Sequence, residues 1–169
     1  MVDSTKPYLN LLKDTLDYVL NLRNMPSLEY EKIVRPEVET EESKELLMKP
    51  IVISKNEKEK VEIEASINSV RINIVFNKTD IEELLSTIFC KYIMNRTDSL
   101  NLFRKVPKKD YDISFLITSN HLEYYKKESI IEYIIDFISG FDNEIINMRM
   151  IVNSQLRMAS NYLLDKMKV

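Results

Sequence analysis

From Lys127 to Lys166 the chain has no proline and is dominated by helix formers, which predicts one helix roughly 60 Å long at about 1.5 Å rise per residue. A compact domain of 169 residues has a radius of gyration of about 15 Å and a diameter of about 40 Å. A helix of this length is therefore expected to reach beyond its own body. Gly140 is the one position in it where a bend is expected. Ile130, Ile131, Ile134, Ile135, Phe137, Ile138 and Phe141 are apolar almost all round, as in a buried helix. Further on, Ile145, Met148, Val152, Leu156, Ala159 and Leu163 carry an apolar stripe to the end. Two things can bury such a stripe: the chain folding back on itself, or a partner. The length favours a partner helix, with Ile145, Met148, Val152, Leu156 and Leu163 as its packing residues. Met148 and Met158 suit the irregular gaps of such an interface.

The rest of the chain alternates between helical and strand patterns. A first helix is expected from about Lys6 to Arg23. Ser4 or Thr5 is placed to cap it, Pro7 suits its first turn, and Tyr8, Leu11, Leu12, Leu16, Val19 and Leu20 form its apolar face. Residues 24–45 contain Pro26, Pro36 and a run of glutamates. They read as an extended acidic stretch, either a solvated linker or an arm lying along a partner. Ile51 to Ser54 is a short strand. Val61, Ile63 and Ala65 alternate with Glu62 and Glu64. After a turn near Ser66–Ser69, Val70, Ile72, Ile74 and Phe76 alternate with Arg71, Asn73 and Val75. Such alternation predicts one buried and one wet sheet face, with Glu62 and Glu64 on the wet face, opposite Arg71 or Asn73. A middle helix opens on the capping box Thr79-Asp80-Ile81-Glu82. A second strand pair is expected from Leu100–Val106 and Tyr111–Thr118, joined through Pro107–Asp110. Two strand pairs separated by a helix give an α+β fold: a single domain with a small antiparallel sheet, an N-terminal helix, a middle helix and a long C-terminal helix.

Several classes of chemistry are excluded by counts. Gly140 is the only glycine, so neither a phosphate-cradling loop nor a dinucleotide fingerprint can be built. One cysteine, Cys90, and one histidine, His121, rule out an internal disulfide and a four-ligand zinc site. Cys90 reads as a packing residue and His121 as structural or surface. No catalytic residue, cofactor or metal is expected. A net charge of −3 gives no general reason to expect nucleic acid or an anionic membrane. No apolar run reaches the roughly 18 residues of a membrane span, and the N-terminus lacks the pattern of a secretory signal, so a cytosolic location is expected. The sequons at Asn77 and Asn95 are then chance matches.

Ordered blocks of the sequence resemble one family. They are Lys6-Pro7-Tyr8-Leu9; Pro36-Glu37-Val38-Glu39 with Ser43-Lys44-Glu45-Leu46-Leu47; Ile53-Ser54 followed by Asn56-Glu57-Lys58-Glu59-Lys60-Val61; and Ser66-Ile67-Asn68-Ser69-Val70-Arg71. Tyr111 to Thr118 forms a further block, and Val152-Asn153 with Arg157 another. Together they span nearly the whole chain and resemble the 20 kDa subunit, subunit 4, of the actin-related protein 2/3 complex. The resemblance departs over 24–35, over 86–103 and near the C-terminus. It implies a scaffold subunit that pairs with subunit 2 through α+β modules and long C-terminal helices. The pair holds the two actin-related subunits and contacts the side of a mother actin filament during branching, in the actin-rich cytoplasm. ATP is bound by the actin-related subunits, in keeping with the lone glycine here.

The same resemblance points Arg104 and Lys105 towards the acidic filament side, where fixed positive charge would steer and hold it. Val106 stands where the family tends to keep another basic residue. Lys55 and Lys58, at the turn before the signature strand, would extend that surface, and Arg149 and Arg157 on the last helix would meet filament or partner acids. Lys108 and Lys109 read more simply as a solvated turn. The competing reading is a nucleic-acid-binding module that uses the basic hairpin over 104–109. It is disfavoured by the net charge and by the lack of interleaved exposed aromatics.

Overall fold

The computed structural model describes residues 5–21, 36–39, 46–77 and 99–167, apart from the side chains of Glu37, Asp142 and Ile145. The predicted middle helix after Thr79, Cys90 and most of the acidic stretch over 24–45 lie outside these residues. The chain divides into two compact units, 1–133 and 134–169.

The first unit is built on a four-stranded antiparallel sheet in sequential order. Its strands are β1 (Ile51–Ser54), β2 (Lys60–Ala65), β3 (Ser69–Val75) and β4 (Ile113–Thr118). The registers place Val61, Ile63 and Ala65 beside Ile74, Ile72 and Val70, and these in turn beside Ile113, Phe115 and Ile117. All nine side chains are buried, so this face forms the apolar core that the alternation predicts. Helix α1 (Thr5–Leu20) contacts β1. It buries Leu12, Leu16, Val19 and Leu20, whereas Leu11, expected on the same stripe, is exposed. The last turn of α1 extends to Asn21, whose N–H reaches Asp17 and Tyr18 carbonyls at 3.1 and 3.2 Å.

The second strand pair is reduced from what the sequence pattern predicts. Residues 100–106 form no strand. Phe103 makes a single bridge to Phe115, and the flanking bonds Arg104 N–H to Ser114 O and Leu116 N–H to Leu102 O are both 2.8 Å. Asn101 has φ 56°, a left-handed conformation that stops the extended run on one side. Pro107 and the turn after it stop the run on the other. Tyr111 and Asp112 precede β4 rather than belonging to it. After β4 a short helix, α2 (Ser119–Tyr124), follows, which the hydrophobic pattern does not reveal. Nδ1 of the single histidine, His121, accepts the Thr118 N–H at 3.1 Å, so this side chain caps the helix start.

Helix α3 runs without interruption from Lys127 to Met167. Lys127 Nζ reaches Asp17 Oδ1 at 2.7 Å and Asn21 Oδ1 at 2.8 Å, which fastens the start of α3 to the end of α1 within the first unit. Gly140 makes no break: its backbone is helical, and a Cβ built there would meet nothing within 4 Å. Substituting Gly140→Ala is therefore expected to stabilise the chain by about 0.5–1 kcal/mol through lower unfolded-state entropy. An unchanged or lower urea midpoint would contradict this.

Candidate functional site

The second face of the sheet departs most from expectation. The registers line up Glu62 with Asn73 and Ser114, and Glu64 with Arg71. These side chains should face water if the sheet were wet on this side. Instead Glu64 is 1% exposed, Asn73 0% and Ser114 1%. Among the described residues two segments distant in sequence lie over this face, each fastened by one of the cations from the basic stretch over 104–109.

The first cover is the short 3-10 turn Glu37–Glu39. Val38 is buried there, and its N–H approaches Ser69 Oγ at 3.4 Å. Glu39 Oε2 accepts a charged bond from Arg104 at 2.6 Å. Part of the acidic stretch is thus docked on its own chain. Ser69 belongs to a buried polar turn in which Ser66 N–H meets Ser69 O at 2.8 Å and Ser69 Oγ donates to Asn68 Oδ1 at 3.0 Å. Hydroxyl and amide groups close this turn without a glycine.

The second cover is the turn over 107–110. Lys108 does not point into solvent as expected. Its ammonium lies 2.5 Å from Glu62 Oε2 and 3.1 Å from Glu64 Oε1, and its backbone N–H donates to Ser114 Oγ at 3.0 Å. Arg71 meets Glu64 Oε2 through two nitrogens, each at 3.0 Å. Asn73 Nδ2 donates to both glutamates at 3.0 Å, and Ser114 Oγ donates to Asn73 Oδ1 at 2.7 Å. Two carboxylates, one guanidinium and one ammonium thus balance, and their lone pairs are used. A buried ion cluster needs that satisfaction to be tolerated. Tyr111 lies against it, with the ammonium groups of Lys60 and Lys108 at 5.5 and 5.4 Å from its ring centre. Burial, the charge of Glu62 and the hydrogen bond to it push the Tyr111 hydroxyl up to about 12.

The remaining predicted cations are placed as follows. Lys105 is exposed and makes no bond to the described residues, and the same holds for Lys109. At the β1–β2 turn, Lys55 pairs with Glu59 at 3.3 Å. Lys58 is exposed, on a turn that Asn56 Oδ1 organises by accepting the Lys58 and Glu59 N–H groups at 2.8 and 2.9 Å. The strand directions bring this turn and the segment over 105–111 to the same end of the sheet. Arg149 and Arg157 are both exposed on α3. Because Arg104 and Lys108 are spent on internal acids, the stretch over 104–109 is not the continuous cationic patch that a nucleic-acid-binding hairpin needs, and that reading has no support.

In the second unit the burial of α3 changes along its length. Ile134, Phe137, Ile138 and Phe141 are buried, whereas Ile146, Met150, Ile151, Leu156, Met158, Leu163 and Leu164 are between 51% and 64% exposed. Of the predicted packing residues, Leu156 and Leu163 are exposed, Met148 and Val152 half-buried, and the Ile145 side chain lies outside those described. Among the described residues, no group of three or more His, Cys, Asp or Glu side chains is placed to hold a metal ion, and no helix is long and apolar enough to cross a membrane.

Comparison with known proteins gives a consistent picture. The family model of the ARP2/3 complex 20 kDa subunit matches residues 1–166. A probable actin-related protein 2/3 complex subunit 4 from Caenorhabditis elegans is 37% identical over 167 residues, covering 98% of this chain and 99% of that one. The actin-related protein 2/3 complex subunit 4 of Dictyostelium discoideum is 38% identical over 159 residues, covering 93% and 94%. The subunit 4 of Saccharomyces cerevisiae is 38% identical over 168 residues, covering 98% of each.

Proposed function

The chain belongs to the ARP2/3 complex 20 kDa subunit family, and from that premise we propose that it is a structural, non-catalytic subunit of that complex. It pairs with subunit 2, helps to hold the two actin-related subunits, and contacts the side of the mother filament during branched nucleation in the actin-rich cytoplasm. The observation that carries this reading is the exposed apolar side chains along the second half of α3. Apolar surface of that extent on a protein in water marks an interaction site. The packing residues are Ile145, Met148, Val152, Leu156 and Leu163. The filament contacts are Arg104, Lys105, Lys55 and Lys58 of the first unit, with Arg149 and Arg157 of the second. Lys105 and Lys58 carry most of the first set, since Arg104 and Lys55 already hold internal acids.

The test is recovery of the tagged full chain from cells, followed by identification of the proteins present in equimolar amount. The expected result is the other subunits of the complex, both actin-related subunits among them. Recovery without the actin-related subunits would sink the reading.

A further inference from the structure

The turn over 107–110 sits at the end of the sheet that presents Lys105 and Lys109, and within it Pro107 and Lys108 are half-buried while Lys109 and Asp110 are exposed. Val106 is 82% exposed, and Lys105, Lys109 and Asp110 are exposed too. Asp110 also occupies the left-handed region, with φ 69°, a conformation that a non-glycine residue keeps only when its surroundings hold it. What reaches inward is the Lys108 side chain. Arg71 bonds Glu64 at Oε2, and Lys108 reaches Oε1 at 3.1 Å. The nearer contact of Lys108 is Glu62. The backbone of the same residue is held at both ends: its N–H donates to Ser114 Oγ, and its carbonyl accepts the Tyr111 N–H at 3.0 Å.

We propose that Lys108 is a positioning residue. Its bonds to Glu62 and Glu64 lock the turn over 107–110 in one conformation, and so fix where Lys105 and Lys109 stand for an acidic partner surface. The inference rests on the filament reading above. Its physical content is preorganisation: cations held on a fixed turn bind without the cost of ordering that turn at the moment of contact. Losing Lys108 takes one positive charge away from Glu62 and Glu64, which keep their bonds to Asn73, with Arg71 still on Glu64. Glu62 is partly exposed, so hydration there relieves the excess charge and the turn lets go before the sheet does.

The experiment uses the complex assembled with the full chain carrying Lys108→Met, Lys108→Arg or the double change Lys105→Glu/Lys109→Glu. Cleavage by trypsin after Lys105 and Lys109 reports the turn. Co-sedimentation with actin filaments across a salt series reports binding. Lys108→Met is expected to speed cleavage by about tenfold or more, and to weaken filament binding by about tenfold through the added ordering cost. Lys108→Arg is expected to restore both. If Lys108→Met prevents assembly, Glu62→Gln removes the nearer contact and leaves the Glu64–Arg71 pair in place; the same two changes are expected, smaller in size. Wild-type cleavage in both variants would overturn the anchoring role. Faster cleavage with unchanged binding, while Lys105→Glu/Lys109→Glu does weaken binding, would overturn the positioning role. If the double change also leaves binding untouched, the filament reading itself is what fails.

Discussion

Arg71→Met is expected to lower the stability of the chain by about 3 kcal/mol, because it removes the guanidinium from a nearly completely buried carboxylate. Glu64 is 1% exposed and Arg71 supplies two of its bonds. Lys108 still reaches the other oxygen, which keeps the loss at the low end of what breaking a buried pair costs. For a chain of this size the melting temperature should fall by about 6–12 °C. The double variant Arg71→Met/Glu64→Leu should recover most of the loss. It removes a positive and a negative charge together and leaves Lys108 paired with Glu62. Urea unfolding followed by tyrosine fluorescence measures both variants. If the double variant is as unstable as Arg71→Met alone, loss of the guanidinium from this buried carboxylate is not the cause.

The second large effect belongs to assembly rather than folding. Leu156→Asp with Leu163→Asp should weaken association with the partner subunit by about a thousandfold. Burying each leucine is worth about 1.5–3 kcal/mol, and the new carboxylates would have to be desolvated as well. Both side chains are more than half exposed in the chain itself, so the urea midpoint should hardly move. Co-purification with the other subunits would then be lost while the chain stays folded. Wild-type recovery of the complex would show that this stretch of α3 is not the packing surface.

These two regions differ in how far the sequence reveals them. Alternation at 61–65 and 70–76 marks β2 and β3, and the proline-free run starting at Lys127 marks α3, which is observed from Lys127 to Met167. Period-2 and helical patterns are local, and they say which side chains share a face. They do not say what lies over that face. Glu62 and Lys108 are 46 residues apart, and Glu39 and Arg104 are 65 apart. Each pair is made of residue types that an isolated reading assigns to solvent. The polar alternation is therefore legible, while its burial under two distant segments is not. For the same reason four neighbouring cations look like one patch until the partners of Arg104 and Lys108 are known. Helix α2 escapes notice because six residues hold too few turns for a periodic signal.

The sequential order of the sheet has a consequence for synthesis. A ribosome delivers β1, β2 and β3 as consecutive hairpins, which can zip up soon after they emerge. The apolar face of β3 then waits for β4, whose partners Ile113, Phe115 and Ile117 arrive a long stretch of chain later. Translation runs at about 5–20 residues per second, so the half-made core stays open for seconds, on the order of a million times longer than a hairpin takes to form. Helix α3 is made after the sheet, and the apolar side chains of its second half stay exposed unless the proposed partner covers them. Chaperone demand should therefore come in two waves, the first ending when β4 docks and, on the proposed assembly, the second when a partner covers α3.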